Sequence, residues 1–521
     1  MDEKPNRFYR IAVSTVTTIL VLVTAFMIVA IRFKNRHFPD SRIDEILFYL
    51  TNGMEGSDSA ENTEMLNSNL WIMAFVAIIL ALPILNIYRG FKLRLSYGST
   101  GRERDLVWDP AQMTIVGKFR YALGICVIVL MVLGDTFNAT SYVRLSMSSG
   151  KLFEQNYVDP RNVSMVFPER PMNLIYIYVE SMENTIASID NGGVREVSLI
   201  PELEELALDP AHVSFSHTDG LGGMQQVAGT TFTVGAMTAQ TAGIPIKTDL
   251  FDVGGNDLGG FKLFLPGIYS LGEVLEEQGY NQTFLMGSES SFGARDKLLS
   301  QHGNYRIMDL EYVKSLGWLD PDYHEFWGYE DEKLFSYAQT EVTRLAALDE
   351  PFNLQILTVD THFPEGYLSS SCAQEYENQY DNAYACASRL ISEFVSWVLE
   401  QPFADNTAII IAGDHLGMQT TYYEDMADLS EYERTVYNVF INAAAEPVQE
   451  QNRQFTGMDM YPSTLAAMGV EIDGNRLGLG VALFSGEPTL LESFGSVYEL
   501  SEEIYRRSEF YTRTILSGSD I

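Results

Sequence analysis

Acidic and imidazole side chains follow three separate apolar runs of the chain. Glu180 comes directly after NLIYIYV, the pair Asp414-His415 after TAIIIAG, and Asp360 and His362 shortly after NLQILT. A lone Glu or His in such a place is more often a helix cap or a structural hydrogen-bonding group. An Asp-His pair on a glycine-flanked turn, joined by a Glu from another run, offers the mixed O and N ligands that suit Mn²⁺, Mg²⁺ or Zn²⁺. From the residues alone, a metal site and a structural role are both open.

A hydroxyl group that could act as a nucleophile stands at Thr233, between GTTF and the small-residue stretch VGAMTAQTAG. This stretch is compatible with a helix that begins near Thr233, where backbone N–H groups and the helix dipole favour an anion. A hydroxyl with a lowered pKa at such a point could attack a phosphoryl centre. Thr is also a common helix N-cap, and the two roles are compatible.

Short runs rich in β-branched and aromatic residues predict the strands that would position these groups, at 173–179, 281–286, 353–359 and 407–412. Helical patterns fall between or after them, at 268–278, 330–348 and 382–401. This alternation predicts an α/β domain with a mostly parallel sheet and helices on both faces. Sites in such folds lie beyond the carboxyl ends of the strands, where the acidic and imidazole groups stand.

Composition excludes several classes of protein. The 521 residues are 46% hydrophobic, which excludes a disordered chain, and the net charge of −36 excludes a nucleic-acid binder that must neutralise phosphates. The charge is unevenly spread, because the first 140 residues are nearly balanced and the acidic surplus lies in the rest. The two parts therefore face different surroundings.

Three apolar stretches in the first quarter, at 11–31, 70–88 and 119–137, predict membrane-spanning helices. A cleaved signal peptide is the alternative for the first, but the run is long and no small-residue cleavage site follows it. The basic residues between the second and third stretches predict a cytoplasmic loop there: Arg89, Lys92, Arg94, Arg102, Arg104, Lys118 and Arg120. We therefore expect a multi-pass protein of the inner membrane, with everything after the third span facing the periplasm.

The predicted organisation is a membrane region over 1–140, a linker over 141–170, a catalytic domain over 171–490 and a tail over 491–521. Cys372 and Cys386 lie in the part expected outside the cytoplasm, where an oxidising compartment favours a disulfide between them. Two unrelated buried thiols are the alternative. Cys126 falls within the third predicted span and is expected to be a packed apolar thiol.

Taken together, these motifs resemble the sulfatase-like branch of the alkaline phosphatase superfamily. Within it, the chain is most similar to phosphoglycerol transferases that modify periplasmic glucans, and more distantly to lipoteichoic acid synthases. The resemblance is carried by stretches at 41–57, 173–185, 215–246, 292–303, 358–372 and 412–418, including NLIYIYVESMENT, AGTTFTVGAM, TVDTHFP and AGDHLGM.

The resemblance implies an alkaline-phosphatase-like α/β fold and a metal-dependent transfer reaction. The implied ligands of one divalent ion, Mn²⁺ before Mg²⁺ or Zn²⁺, are Glu180, Thr233, Asp414 and His415. Thr233 would be the nucleophile, and His362 and Arg295 would lie near the substrate phosphate. The reaction implied is transfer of a glycerophosphoryl group from phosphatidylglycerol in the membrane to a periplasmic glucan, with release of diacylglycerol.

Four other functions are alternatives to this transfer reaction. A sulfatase would need Cys or Ser at the nucleophile position with a nearby Pro, and TTFTVGAM has neither Cys nor Pro. A phosphoethanolamine transferase usually carries more His ligands and more disulfides than seven His and three Cys allow. A lipoteichoic-acid-type polymerase differs mainly in its acceptor, and a catalytically inactive glycan or lipid receptor would not need an intact ligand set.

Overall fold

The computed structural model describes residues 6–37, 59–85, 93–97, 104–108, 113–247, 263–427 and 429–519. The described residues form two compact units, the first reaching Thr140 and the second beginning at Ser141. Helices of the chain are α1 Arg7–His37, α2 Ser59–Ala81, α3 Ile115–Thr136, α4 Ala139–Ser146, α5 Leu152–Asn156, α6 Pro201–Leu208, α7 Thr233–Ala242, α8 Leu271–Glu277, α9 Arg295–Gln301, α10 Leu310–Ser315, α11 Asp331–Ala346, α12 Gln379–Leu399, α13 Thr420–Glu424, α14 Met460–Ala467, α15 Leu490–Phe494 and α16 Val497–Tyr505.

The first unit is built around α1, which packs against both α2 and α3. The segments Arg7–Arg36 and Ile115–Thr136 are long and apolar enough to cross a membrane, judged by length and composition. Large apolar side chains of α3 are exposed, among them Ile128 at 62% and Met131 at 69%. Such a surface suits a hydrocarbon surrounding, since water would penalise it. The hairpin of β1 Leu93–Tyr97 and β2 Arg104–Trp108 lies between α2 and α3 in the chain.

The middle apolar helix differs in its bounds from the span expected over 70–88. Helix α2 begins eleven positions earlier, at Ser59, and ends at Ala81, and its apolar part Asn69–Ala81 is shorter than the two long helices. A turn follows at 82–85, where Pro83 lacks the N–H that a continued helix needs. Residues 86–92 lie outside the described residues, so a third crossing stays a prediction.

The second unit is organised by a six-stranded sheet in the order β6-β5-β7-β4-β8-β9. All pairs are parallel except β8 with the edge strand β9. Strands of this unit are β3 Met165–Val166, β4 Asn173–Val179, β5 Asn281–Met286, β6 Arg306–Met308, β7 Phe352–Leu357, β8 Thr407–Gly413, β9 Asn438–Ile441, β10 Glu471–Ile472, β11 Arg476–Leu477 and β12 Gly480–Val481. The α/β fold with a mostly parallel sheet is confirmed.

Both faces of the sheet are covered, which is why its central strands are mostly apolar, with Asn353 and Gln355 of β7 among the exceptions. Every residue of β4, β7 and β8 is buried. One hydrophobic cluster includes Tyr176 and Phe284 with residues of α7 and α14, and the other includes Ile177 and Ile356 with residues of α11 and α12. Runs buried on two sides lose the polar alternation of a one-sided strand, and this made them visible in the sequence.

Residues on either side of the predicted catalytic domain contribute to the second unit. In the stretch 141–170, Phe153 is buried and its ring contacts that of Tyr511 at 5.0 Å, while β3 pairs with β10. In the stretch after 490, Leu500 and Ile515 belong to the same core cluster as the sheet. The expected linker and tail therefore carry elements that are packed into this core.

Candidate active site at the carboxyl end of the sheet

Three predicted ligands meet where β4 and β8 end side by side. Glu180, Asp414 and His415 are all buried, and one ligand atom from each lies within 4.8 Å of the others. The register of the sheet explains this meeting, because Val179 pairs with Gly413 and each strand delivers its next residue to the same point. A side chain at Gly413 would lie 2.2 Å from the Met182 carbonyl oxygen, so this crossing has room only for glycine.

The loop after β4 holds the Asp414 carboxylate in place. Ser181 has a positive φ of 53°, and its N–H donates to Asp414 Oδ1 at 2.9 Å while its hydroxyl donates to Glu180 Oε1 at 2.7 Å. The His415 N–H also donates to Asp414 Oδ1, at 2.7 Å. The second oxygen, Oδ2, is buried without a hydrogen-bond partner among the described residues. A buried carboxylate oxygen left unpaired is costly unless a cation meets it.

The imidazole of His415 is oriented as a metal ligand would be. Its Nδ1 lies 2.9 Å from the Leu416 carbonyl oxygen, which can only accept, so Nδ1 carries the proton. Nε2 then presents its lone pair toward Glu180 Oε1 at 3.5 Å and Asp414 Oδ2 at 3.4 Å. Ligands bound at about 2.1 Å to one ion stand roughly 3.0–3.4 Å apart, so the donor set fits a divalent cation.

The charges of the cluster also favour a bound divalent cation. The pKa of Asp414 is raised to about 7, chiefly by burial and also by the nearby Glu180 carboxylate, against the lowering effect of His415. Two acidic groups in a buried place need a positive partner to remain ionised together. A dication would supply that charge.

Thr233 is the first residue of α7, as the sequence predicted for a helix start. The residue is buried, with 9% of its surface exposed, and none of the hydrogen bonds of the described residues involves its hydroxyl. Phe232, not Thr233, occupies the N-cap position. The alternative reading of Thr233 as an N-cap is therefore wrong, and its hydroxyl is available for another partner.

Helix α7 is held next to the acidic cluster by its own side chains. Gln240 donates to the Gly413 carbonyl at 3.0 Å and accepts from the Tyr176 hydroxyl at 2.7 Å. Thr230, just before the helix, and Ala236 in its first turns line a small cavity together with Asp414. The structure thus places the first turns of α7 beside Asp414, one of the three clustered ligands.

His362 lies beyond β7, half-buried against aromatic rings. Its ring lies tilted against that of Trp327, with 4.4 Å between the centroids, and its Nδ1 donates to the Phe363 carbonyl at 2.6 Å. The pKa of His362 is lowered to about 4, chiefly by burial and also by the nearby His415 and Arg295, against the raising effects of the Phe363 carbonyl and of Asp414. The imidazole is therefore neutral at pH 7 and offers a lone pair at Nε2. His362 does not join the ligand cluster.

Arg295 begins α9 and is buried, with 5% of its surface exposed. Its guanidinium donates to the Phe292 carbonyl at 2.9 Å, to the Glu289 carbonyl at 2.8 Å and to the Ser288 hydroxyl at 3.1 Å. The neighbouring Gly293 approaches the Val234 side chain of α7. Arg295 is thus carried by a rigid turn that lies against the helix of Thr233.

Asp360, the acidic residue of the third motif, does not join the cluster. It accepts from the Ser369 hydroxyl at 2.6 Å, and its N–H donates to the Asp331 carboxylate at 3.1 Å. Burial and the neighbouring Asp331 raise the pKa of Asp360 well above its usual range. The pair shapes the loop that carries His362.

Two features of the site were missed in the sequence. Glu183 is fully buried and receives a two-pronged ion pair from Arg434, whose Nε lies 2.9 Å from Glu183 Oε1. Trp327, whose ring contacts that of His362, buries its indole N–H without a partner among the described residues. Arg434 and Trp327 stand in loops, outside any helix or strand, so no periodic signal marked either.

Comparison with protein families gives one match. The description of the matched family is Sulfatase, and the match runs over residues 172–470, more than half of the chain. The chain belongs to the sulfatase family. The matched region contains all the predicted ligands together with Thr233, Arg295 and His362.

Curated relatives of this sulfatase-family chain are named phosphoglycerol transferase I. The protein from Escherichia coli is 31% identical over 355 residues, which cover 67% of this chain and 43% of that protein. The protein from Citrobacter koseri is 28% identical over 512 residues, covering 94% of this chain and 60% of that protein. The chain spans about half the length of these relatives.

Solved structures with the same fold include a membrane protein. The integral membrane lipooligosaccharide phosphoethanolamine transferase A from Neisseria meningitidis superposes with a TM-score of 0.50 and 12% identity, covering 87% of this chain and 84% of that one. At this identity the likeness establishes the fold alone. The crystal structure of the lipoteichoic acid synthase LtaP from Listeria monocytogenes gives a TM-score of 0.45 at 16% identity, covering 62% of this chain and 79% of that one.

Proposed function

We propose that the chain is a membrane-anchored phosphoglycerol transferase of the inner membrane, with its second unit facing the periplasm. It moves a glycerophosphoryl group from phosphatidylglycerol to a periplasmic glucan. The observation that carries the proposal is the buried cluster of Glu180, Asp414 and His415 beside a helix that begins with an unpartnered Thr hydroxyl. The names of the curated relatives support this choice of reaction.

In the first step, Thr233 Oγ attacks the phosphorus of phosphatidylglycerol. A P–O bond forms to Thr233, the P–O bond to diacylglycerol breaks, and the Thr proton ends on the diacylglycerol oxygen. The helix start favours the negative charge of the phosphoryl group, because the first backbone N–H groups of α7 point outward there. The product that stays on the enzyme is a glycerophosphoryl-Thr ester.

In the second step, a hydroxyl oxygen of the glucan attacks the same phosphorus. A new P–O bond to the sugar forms, the bond to Thr233 Oγ breaks, and the sugar proton returns to Thr233. Water could compete for the ester, so a defined acceptor site would favour transfer over hydrolysis. The enzyme ends in its starting form, and each step conserves atoms and charge.

One divalent ion, for which we propose Mn²⁺ before Mg²⁺ or Zn²⁺, would be held by Glu180, Asp414 and His415, with Thr233 completing the set. When bound, it would act as a Lewis acid that offsets negative charge on the nucleophile and phosphoryl oxygens. The donor set of two carboxylates and one imidazole fits each of these ions.

Arg295 and His362 take different parts in substrate binding. Arg295 supplies a fixed positive charge for phosphate oxygens, since its guanidinium is always protonated and is anchored by three neutral oxygens. His362 is neutral, so its Nε2 accepts a hydrogen bond from a substrate hydroxyl rather than pairing with phosphate. The two residues thereby distinguish the charged and uncharged ends of a glycerophosphoryl group.

A polymerase of the lipoteichoic acid type would use the same first step with another acceptor, and remains the nearest alternative. A sulfatase activity is disfavoured because Thr233 replaces the Cys or Ser that such enzymes modify. The partners we propose are membrane phosphatidylglycerol and a periplasmic glucan.

The proposal is tested with the full chain in phosphatidylglycerol vesicles containing Mn²⁺, by following diacylglycerol release. Thr233→Ala should abolish release, by about 10⁴-fold or more, since no cation restores a missing nucleophile. Thr241→Ala, on the same helix with its hydroxyl bonded to the Met237 carbonyl, is the matched control and should keep activity. Near-normal release by a folded Thr233→Ala variant would refute the nucleophile.

Topology has its own test. Engineered cysteines are labelled in intact cells with a reagent that cannot cross the inner membrane. A cysteine in place of Ser149 should react, and one in place of Ser99 should not. The opposite pattern would place the second unit in the cytoplasm and exclude the lipid donor of the outer leaflet.

A further inference from the structure

A polar cavity of about 230 Å³ opens next to the segment that follows His415. Its walls include Gln419, Thr421 and Asp425 from and around α13, and Arg195 and Asp381 across from them. One water molecule needs roughly 10–15 Å³ of such space, so the cavity can hold a group much larger than a few waters. The proposed chemistry of the active site does not use this cavity.

Residues that line the cavity contact residues next to the active site. Gln419 accepts at 3.1 Å from the N–H of Glu365, in the loop that carries His362. On the other side, Tyr422 lines the cavity and packs on Tyr384. The Tyr384 hydroxyl in turn donates at 3.1 Å to the Ser181 carbonyl, directly beside Glu180. A ligand in the cavity would therefore lie one layer of side chains away from the metal ligands.

The charges of the lining disfavour a phosphate group. Arg195 is already paired with Asp381 at 3.0 Å, and the Tyr422 hydroxyl donates to the other oxygen of Asp381. Asp425 adds a second carboxylate, so the lining carries one positive and two negative groups. An anionic headgroup would be repelled here, whereas Arg295 offers it a positive charge elsewhere in the site.

The free hydrogen-bonding capacity of the lining suits neutral hydroxyl groups. The Asp425 carboxylate and the Thr421 hydroxyl line the cavity with no internal partner among the described residues. A carboxylate accepts from two adjacent hydroxyls at once, and a Thr hydroxyl both donates and accepts. Beside them, Tyr422 and Met426 offer apolar surface. Few convergent polar groups on such a surface are the usual make-up of a small-molecule site.

We propose that this cavity is the acceptor subsite and binds a neutral sugar unit of the glucan. The inference rests on the proposed transfer reaction and adds the place where a sugar unit of the glucan is held while a neighbouring unit reacts. Donor and acceptor are then separated by charge: phosphate on the side of Arg295, and uncharged sugar on the side of Asp425.

The test measures binding of laminaritetraose, a neutral glucose oligosaccharide, to the purified full chain by calorimetry. Thr421→Phe fills the cavity and Asp425→Ala removes a sugar-facing carboxylate. Each should weaken binding about tenfold or more, since hydrogen bonds to a charged group are among the stronger ones. The matched control is Asp405→Ala, an exposed Asp just before β8 and hence at the opposite end of the sheet, which should bind as the parent does.

Diacylglycerol release without acceptor is measured on the same variants. We expect it to be unchanged in Thr421→Phe and Asp425→Ala, while the KM for the sugar acceptor rises. Equal sugar affinity in parent and both variants would overturn the subsite, as would displacement of the sugar by glycerol 3-phosphate. Failure of the parent to release diacylglycerol would instead refute the proposed function, and the binding measurement would still decide the subsite.

Discussion

Two buried acidic groups lie at the loop after β4, Glu183 within it and Asp414 at the adjacent end of β8, and the protein treats them in opposite ways. Glu183 has both oxygens satisfied, by the Arg434 guanidinium and by the Gly417 N–H at 2.8 Å. Asp414, across the same loop, keeps one oxygen buried without a partner among the described residues. A fully paired carboxylate stabilises the fold, whereas an unpaired one beside a second carboxylate is a binding site.

The ion pair also has a place in the site. Arg434 donates to the Gly417 carbonyl at 2.9 Å, and its guanidinium lies over the Tyr423 ring at 4.3 Å. Glu183 and Arg434 together fix the loop that begins with His415 against the loop that begins with Glu180. The structural acidic group thus positions the functional ones.

Breaking this pair should have the largest effect on stability. Arg434→Met leaves Glu183 charged and buried, which should lower the free energy of unfolding by about 3–5 kcal/mol. Urea unfolding of the metal-free protein measures it. Lys314→Met, which removes an ion pair with the exposed Glu311, is the control and should cost less than about 1 kcal/mol. An equal decrease in the free energy of unfolding in the two variants would show that the buried ion pair stabilises the fold no more than the exposed one.

A disulfide also holds a segment near the site in place. The predicted disulfide between Cys372 and Cys386 is confirmed, with the Cα atoms 5.7 Å apart, and it ties the segment after His362 to α12. Replacing both cysteines by Ser should cost about 3 kcal/mol in the chain-entropy view of a loop of this length. The same unfolding assay applies, and a loss below that of Lys314→Met would show that packing alone holds the segment.

Asp414→Asn should behave oppositely to Arg434→Met. It removes a buried negative charge that no cation balances in the metal-free protein and keeps an oxygen for the two N–H donors, so the free energy of unfolding should stay level or rise. Diacylglycerol release should nevertheless fall at least a hundredfold, equivalent to about 2.7 kcal/mol, because the ligand set is incomplete. Excess Mn²⁺ should restore part of the activity by mass action. Parallel loss of stability and activity would mean that Asp414 is structural.

The smallest expected effect comes from the cation itself. Mn²⁺ at ten times its Kd should stabilise the parent by about 1.4 kcal/mol, because it binds the folded state alone. Asp414→Asn should lose this gain and Arg434→Met should keep most of it. Thermal unfolding with Mn²⁺ and after chelation by EDTA measures the difference.

The sequence predicted strand bounds most accurately where a fully buried strand precedes a candidate site residue. The bounds predicted for β4 and β5 match those observed, and the runs before Asp360 and Asp414 place β7 and β8 to within two residues. Apolar runs bounded by polar residues are local signals, so a single chain shows them. The short edge strands β6 and β9 are three and four residues long and gave no such signal.

Pairings between distant residues were beyond the reach of the sequence. Glu183 and Arg434 lie 251 positions apart, and nothing in either neighbourhood distinguishes them from surface charges. The same holds for the contact between Trp327 and His362, because a ring contact between two loops leaves no periodic pattern in the sequence. The Asp414-His415 pair was visible only because adjacent residues on one turn must share a site.

Helix α7 has a consequence for how the protein tolerates sequence drift. All ten of its residues are buried, and a side chain at Gly235 would stand 2.6 Å from the Gly229 carbonyl oxygen. In a library that varies every position, substitutions that enlarge a side chain of this helix should be depleted whatever their polarity, because volume is the limit. The exposed face of α12 should accept most replacements in the same library. The nucleophile thus stands on one of the least mutable segments of the chain.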